Sequence, residues 1–258
     1  MKFKTFLLLF ILITPILYLN AQNSGIFGVV EYDVNLELGL PVQTKSQLYF
    51  DSNQSTFIEG NFSEPENPDF NSRLVYIDST ANNKIKYFTN LKNGVIYKYH
   101  NFQKGNYLIK ESLFNIDWKL HNQFKDILDY KCQKATGTFR GRNYTAWFTT
   151  EIPVSLGPWK LNGLPGLILQ AEDNEGKINF MAKKIVFLKD SNSKSLLKPE
   201  FSESTQISLK EYLKIMTKLE EEEIHRLIST MPKGSTVRDV KINGNKTKME
   251  RSYEWEKN

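Results

Sequence analysis

From Gly28 to Leu38 the chain reads GVVEYDVNLEL, with Val30, Tyr32, Val34, Leu36 and Leu38 alternating against Glu31, Asp33, Asn35 and Glu37. A helix would scatter those apolar side chains around its whole circumference, whereas a strand collects them on one face. Period two over such a length demands a half-buried strand, and a strand needs neighbours. Candidates follow at short intervals: SQLYFD (46–51), STFIEG (55–60), LVYID (74–78), KIKYFTN (84–90), GVIYKYH (94–100) and NYLIKESL (106–113). Asn93-Gly94 marks a hairpin, because this pair accepts positive φ. EPENPDFNS (64–72), with Pro65 and Pro68, reads as a polar loop. The pattern resumes in YKCQKATGTF (130–139), YTAWFTT (144–150), LILQAED (167–173) and KINFMAKKIVFL (177–188). Short strands joined by tight turns predict an antiparallel meander.

The style then changes. Ser208-Leu209-Lys210-Glu211 has the form of a capping box, and Ile207 is placed to staple onto Tyr212. Leu209, Tyr212, Leu213, Met216, Leu219, Ile224, Leu227 and Ile228 recur at helical spacing, which predicts a helix over 209–229 with one apolar face. Pro232 and Gly234 would stop it, and the basic tail beyond reads as partly loose. The expected class is therefore mainly β with a C-terminal amphipathic helix, α+β in kind. No internal repeat or Pro- and Ser-rich linker divides the chain, so residues 22–258 read as one domain.

The first residues predict export. MKFK is a basic start, TFLLLFILITPILYL an apolar run interrupted by Pro15, and NAQ offers a cut after Ala21. This is the layout of a signal peptide over residues 1–21, too short and broken for a stable span. The mature protein would be periplasmic or secreted, with no transmembrane segment after cleavage. Loss of Lys2 and Lys4 leaves a net charge of +3 from the full chain's +5, too mild to point to nucleic acid. Cys132 is the only cysteine, so no intrachain disulfide is available and stability must come from packing. With 40% hydrophobic and 13% aromatic residues, the chain can fill a sizeable core.

The stretch NGLPGLIL (162–169) could be a phosphate cradle or a corner. A phosphate loop needs a helix opening directly after its glycines. Here a strand follows, with no Lys-Ser or Lys-Thr to close the motif. Leu164-Pro165-Gly166-Leu167 fits a type II turn instead, with Gly166 at the position that takes positive φ. Upstream, Tyr130, Cys132, Ala135, Phe139, Gly141, Arg142, Tyr144, Ala146-Trp147 and Glu151-Ile152-Pro153 lead to Gly163, Leu164, Pro165, Gly166, Leu167 and Ile168. On these residues, segment 129–173 resembles the GLPGLI family of secreted Bacteroidota proteins; Asp129 departs from the family's usual glycine. The resemblance implies an exported protein of that phylum and assigns no catalytic residue. More loosely, a strand meander with an apolar hairpin looks like the half-barrel of Lol-type periplasmic lipoprotein carriers. That likeness would make the 209–229 helix a plug over a concave apolar face.

Chemistry is sparse. His100, His121 and His225 lie far apart with no metal-site spacing, so no metal and no cofactor are expected. Cys132 has no motif partner and reads as a buried thiol. No Gly-x-Ser-x-Gly elbow or His-Glu-x-x-His is present. The densest polar group is Arg140, Arg142, Tyr144, Trp147, Glu151 and Trp159. A ligand reading has Arg142 gripping a carboxylate or phosphate beside Tyr144, Trp147, Glu151 and Trp159. A simpler reading pairs Arg142 with an internal acid such as Glu151. Asp78-Ser79-Thr80 fits a short O-glycosylation pattern at Ser79. The resulting expectation is an exported, non-enzymatic envelope protein binding an apolar ligand (a lipid or lipopeptide) or a partner protein. The alternatives are a hydrolase centred on Arg142, Glu151 and Trp159, or a purely structural envelope component.

Overall fold

The structure, a computed structural model, describes residues 26–39, 41–60, 85–102, 105–188, 195, 197, 204–230 and 248–256. The leader at 1–21, the loop at 64–72, LVYID, Ser79 and the Pro232 and Gly234 stop lie outside the described residues. Twelve strands and one long helix are described. They are β1 (Gly28–Glu37), β2 (Pro41–Phe50), β3 (Gln54–Ile58), β4 (Lys86–Asn90), β5 (Val95–Phe102), β6 (Gly105–Ser112), β7 (Lys119–Ile127), β8 (Tyr130–Phe139), β9 (Arg142–Thr149), β10 (Leu167–Asp173), β11 (Ile178–Phe187), β12 (Thr205–Ser208) and α1 (Leu209–Ser229). A short 3-10 turn, Glu254–Glu256, ends the described chain.

All twelve strands form one curved sheet, not closed into a barrel, in the order β12-β6-β5-β4-β3-β2-β1-β11-β10-β9-β8-β7. Two meanders, β1–β6 and β7–β11, meet where β1 pairs with β11. The alternation that predicted β1 is the one the fold uses, since Val30, Tyr32 and Val34 are buried while their neighbours are half-exposed. Across the sheet Val30, Leu48, Phe57, Tyr87, Lys98, Ile109 and Ile207 stand in successive register on one face. Lys98 is the one charge in that row. The sheet is mixed, because β12 runs parallel to β6. β12 follows β11 in sequence but lies at the far edge, and a strand that arrives by crossover need not be antiparallel to its neighbour as a hairpin partner must be.

The inner face is filled by the chain itself. Ile152, Val154, Leu156, Trp159, Leu161 and Leu164, from the segment between β9 and β10, join the core built by β1, β2, β3, β8, β9, β10 and β11. That is why β10 is buried on both faces, with Leu167, Ile168 and Leu169 fully enclosed. Burying a Leu or Phe contributes about 1.5–3 kcal/mol, so this cover is a major part of the fold. The expected plug is therefore corrected. Helix α1 touches β6 and β12 at the sheet's edge, where Leu209 and Tyr212 pack on Ile109 in a separate small cluster. Its start is as predicted: the Ser208 amide donates to Glu211 Oε2 at 2.8 Å, the Glu211 amide donates to Ser208 Oγ at 3.2 Å, and Ile207 packs against the cluster.

The GLPGLI corner also differs from expectation. Positive φ falls at Gly163 (92°), not at Gly166, so the type II turn over Leu164–Leu167 does not form. Gly166 is needed for a different reason: a Cβ there would lie 2.1 Å from the Thr149 carbonyl oxygen. The corner is pinned by backbone, with the Leu167 amide donating to Ile152 O and the Ile168 amide to Leu156 O, both at 3.0 Å. Trp118 Nε1 donates to Asn162 O at 2.8 Å, and Tyr32 Oη to Ile168 O at 2.6 Å.

Candidate functional site

Of the five residues singled out, Arg142 and Tyr144 stand together on the buried face of β9, whereas Trp147, Glu151 and Trp159 lie in other settings. Arg142 is fully buried: Nη1 meets Asp173 Oδ2 at 2.5 Å, Nη2 donates to Lys248 O at 2.7 Å, and Nε donates to Met249 O at 3.0 Å. Its acid is Asp173 rather than Glu151. Asp173 is favoured by register, since it pairs with Tyr144 in β9 two residues from Arg142. Glu151 is exposed at the corner after β9 and accepts the Lys131 amide at 3.0 Å. Tyr144 is buried, and burial raises its phenol well above the ordinary value, ahead of the opposing pull of Arg142. Trp147 is half-buried beneath the Lys125 ammonium, 4.3 Å from the ring centroid. Trp159 is buried with φ of 56° and meets Phe139 edge-on at 5.5 Å. Cys132 is enclosed, and burial pushes its thiol up to about 11.

Trp159 instead borders a polar cluster that pattern reading did not assemble. Glu111 of β6 holds Arg140 Nη1 at 2.8 Å and Lys160 Nζ at 2.6 Å, with all three side chains almost wholly enclosed. Glu250 from the C-terminal segment bonds the same two cations, meeting Lys160 at 2.9 Å. Glu254 reaches Arg140 Nε at 3.3 Å. The Arg140 guanidinium lies 4.1 Å from the Phe114 ring centroid, with Phe139 and Tyr253 also around it. Burial opposes the charge on Arg140, but Glu250, Glu111 and Glu254 outweigh it and raise its pKa. Likewise burial works against the Glu250 carboxylate, yet Lys160 and Arg140 hold it below the usual range.

Beside these lie Glu59, just past the end of β3, Tyr87 of β4, and Lys98 and His100 of β5. Burial raises Glu59, and Lys98 only partly offsets this; burial lowers Lys98 against the pull of Glu59, Glu250 and Glu111. Tyr212 of α1 bridges outward, its Oη 3.2 Å from Lys98 Nζ and 2.7 Å from His100 Nδ1. Burial, then Lys98, lowers the imidazole to about 4, so it is neutral at physiological pH. The signal for this cluster was in the sequence as phase. Lys98 and His100 share the parity of Ile96 in GVIYKYH, and Glu111 shares that of Tyr107 and Ile109 in NYLIKES. Charges on the inward parity of a strand must meet partners, but only the fold says which. Among the described residues no group of His, Cys, Asp and Glu side chains has metal-holding geometry.

A second feature lies at the opposite edge. β7 ends the sheet, and Lys119, Leu120, Asn122, Gln123, Phe124 and Asp126 are exposed along it. Leu120, Phe124 and, just beyond, Leu128 are among the large apolar side chains open to solvent, at 47, 49 and 41%. No helix of the described residues is long and apolar enough to cross a membrane.

Residues 140–170 match the family model described as "Protein of unknown function (Porph_ging)", a stretch that runs from Arg140 through the GLPGLI corner to Gln170. No curated protein matches the chain. The fold is similar to that of PNGF-II, solved in the C2 and P21 space groups, each with a TM-score of 0.54 and 17% identity over 75% of this chain. The matched region is 33% of PNGF-II, so this chain spans about a third of that protein's length. An uncharacterized conserved protein from Thermus thermophilus is less alike, with a TM-score of 0.39 and 9% identity over 72% of this chain and 93% of that one.

Proposed function

We propose that this chain is an exported GLPGLI-family protein of a bacterial cell envelope, periplasmic or secreted after cleavage near Ala21, that works by binding a partner protein. The observation that carries this reading is the β7 edge. An edge strand with open amides and carbonyls is a template for a further strand, and most folds blunt or cover such edges. Lys119 and Lys125 and the register break between Leu120 and Phe124 blunt β7 in part, yet Leu120, Phe124 and Leu128 stay wet. A strand added there would cover these side chains and satisfy the edge. An apolar small ligand is the weaker candidate, because the segment between β9 and β10 occupies the inner face that such a ligand would need.

The test is a photo-reactive residue in place of Gln123, introduced in the full chain in its own host. One adduct of defined mass is expected, and Phe124→Asp should remove it while leaving the melting temperature unchanged, because Phe124 lies on the surface. The same probe at Glu222, exposed on α1, is the control. An adduct equal at both positions, or at neither, refutes the β7 reading.

A further inference from the structure

The last described segment, residues 248–256, belongs to no strand, yet the fold reads it as a peptide. Arg142 donates to two successive carbonyls, Lys248 O and Met249 O. The Arg140 carbonyl accepts two amides, from Arg251 at 2.8 Å and Ser252 at 3.3 Å. Between these backbone contacts Glu250 enters the Arg140–Lys160 pair, and Glu254 follows on Arg140. Tyr253 stacks on Trp255 at 4.8 Å against the cluster of Ile109, Leu209 and Tyr212. Gly141, with φ of 78°, leaves room: a Cβ would lie 3.0 Å from both Arg251 Cβ and Ser252 Oγ. Main-chain bonds in register, an anchoring carboxylate and an aromatic step are the elements of peptide recognition.

We propose that Arg140, Arg142 and Lys160 form a binding site for an extended acidic segment of a partner protein, and that the chain's own residues 248–256 occupy this site in its absence. The receptor half is built without the segment. Glu111 sets both cations, Asp173 sets Arg142, and Arg140 sits in the left-handed region (φ 43°) at the β8–β9 corner, against Phe114 and Phe139. Charge decides the class of occupant. With Glu250 and Glu254 withdrawn, Arg140, Lys160 and the neighbouring Lys98 are left with Glu111 and Glu59 among the described carboxylates, so one positive charge of the cluster is uncompensated. Such a charge is costly, so whatever replaces the segment must bring negative charge, and the groups the site already accepts are carboxylates, those of Glu250 and Glu254. This site is separate from the β7 edge and stands or falls without it.

The probe is a fluorescein-labelled peptide KMERSYEW, which copies residues 248–255, titrated into the full chain and into full-length Glu250→Gln/Glu254→Gln. A tethered competitor acts at roughly millimolar effective concentration, so the wild type should bind the peptide at least about ten-fold more weakly than the variant. The peptide with both Glu changed to Gln should not bind, and added Lys160→Met should abolish binding to the variant. Equal binding by both proteins, no binding by a variant that keeps its circular dichroism, or binding indifferent to the peptide's carboxylates would overturn the proposal. Should the variant not fold, hydrogen exchange on the wild type decides. The amides of Arg251 and Ser252 must exchange faster than those of β8 and β9; exchange only with global unfolding would refute a displaceable segment.

Discussion

Single residues show how far one letter of sequence constrains its site. Gly163 and Gly166 look interchangeable in the motif but serve different ends. Gly163→Ala meets no atom closer than Trp118 at 3.8 Å and suffers only the φ of 92°, a loss of about 1–2 kcal/mol. Gly166→Ala drives a Cβ into backbone at Thr149, which cannot swing aside, so its loss of stability in urea unfolding should be clearly the larger. Similar losses would mean that the corner is not packed as described. His100 gives a pH dependence. Its folded pKa, about 4, lies below the ordinary 6.5, so between these values the unfolded chain binds the proton more readily. Stability is thus intact above pH 6.5 and declines as pH falls toward 4. His100→Asn should flatten the dependence of Tm on pH in that window, and an imidazole found by NMR to titrate near 6.5 would contradict the burial beside Lys98. At this scale the sequence was least legible. Arg142 was visibly a candidate, but Asp173 and the carbonyls of residues 248 and 249 are partners that no local spacing announces.

Elements were read more easily, for a physical reason: period and capping are local properties. β1, β10 and α1 fall where alternation, turn residues and the Ser208–Glu211 box put them. β7 has no period to read, because KLHNQFKDI is fully exposed on one face and buried on the other only at Ile127, so little selects apolar residues at every second position. β12 was missed because four residues are too few to show a period. The basic tail reads as partly loose, and its described part, residues 248–256, is held by buried charges whose partners lie 90 or more positions away in sequence, which no local pattern announces. The helix supplies a prediction. It is tied down by its first turns, through Leu209, Tyr212, Leu213 and Met216, while much of the rest is open to solvent. Ser208→Ala should cost about 1 kcal/mol and speed hydrogen exchange along 209–229. The amides of β1, β10 and β11 should be unaffected. Equal acceleration in the sheet would show that α1 is part of the core after all.

At the scale of the molecule the question is whether two meanders make one cooperative body. Their hydrogen-bonded seam is a single strand pair, β1 with β11, and a seam alone would allow the halves to melt separately. Side chains argue otherwise. Phe57 of β3 meets Tyr32 of β1 at 6.4 Å and Phe180 of β11 at 6.1 Å, both edge-on, and Tyr32 Oη reaches across to Ile168 O in the GLPGLI corner. The apolar core runs without a break from β3 to β8, so either half, once opened, would expose the other's buried surface. Urea unfolding followed by circular dichroism and by tryptophan fluorescence should therefore give one coincident transition. In a Trp255→Phe variant, which removes the tryptophan packed beside Ile109 of β6, the fluorescence reports the far meander and its cover, through Trp118, Trp147 and Trp159. Edge-on aromatic pairs couple by about 0.5–1.5 kcal/mol beyond their buried area. Phe57→Leu and Phe180→Leu, combined in a double-mutant cycle, should show an interaction of that order across the seam. Two separated transitions, or additive mutants, would mean that the meanders fold as independent units. The GLPGLI corner would then stabilise only the half that contains it.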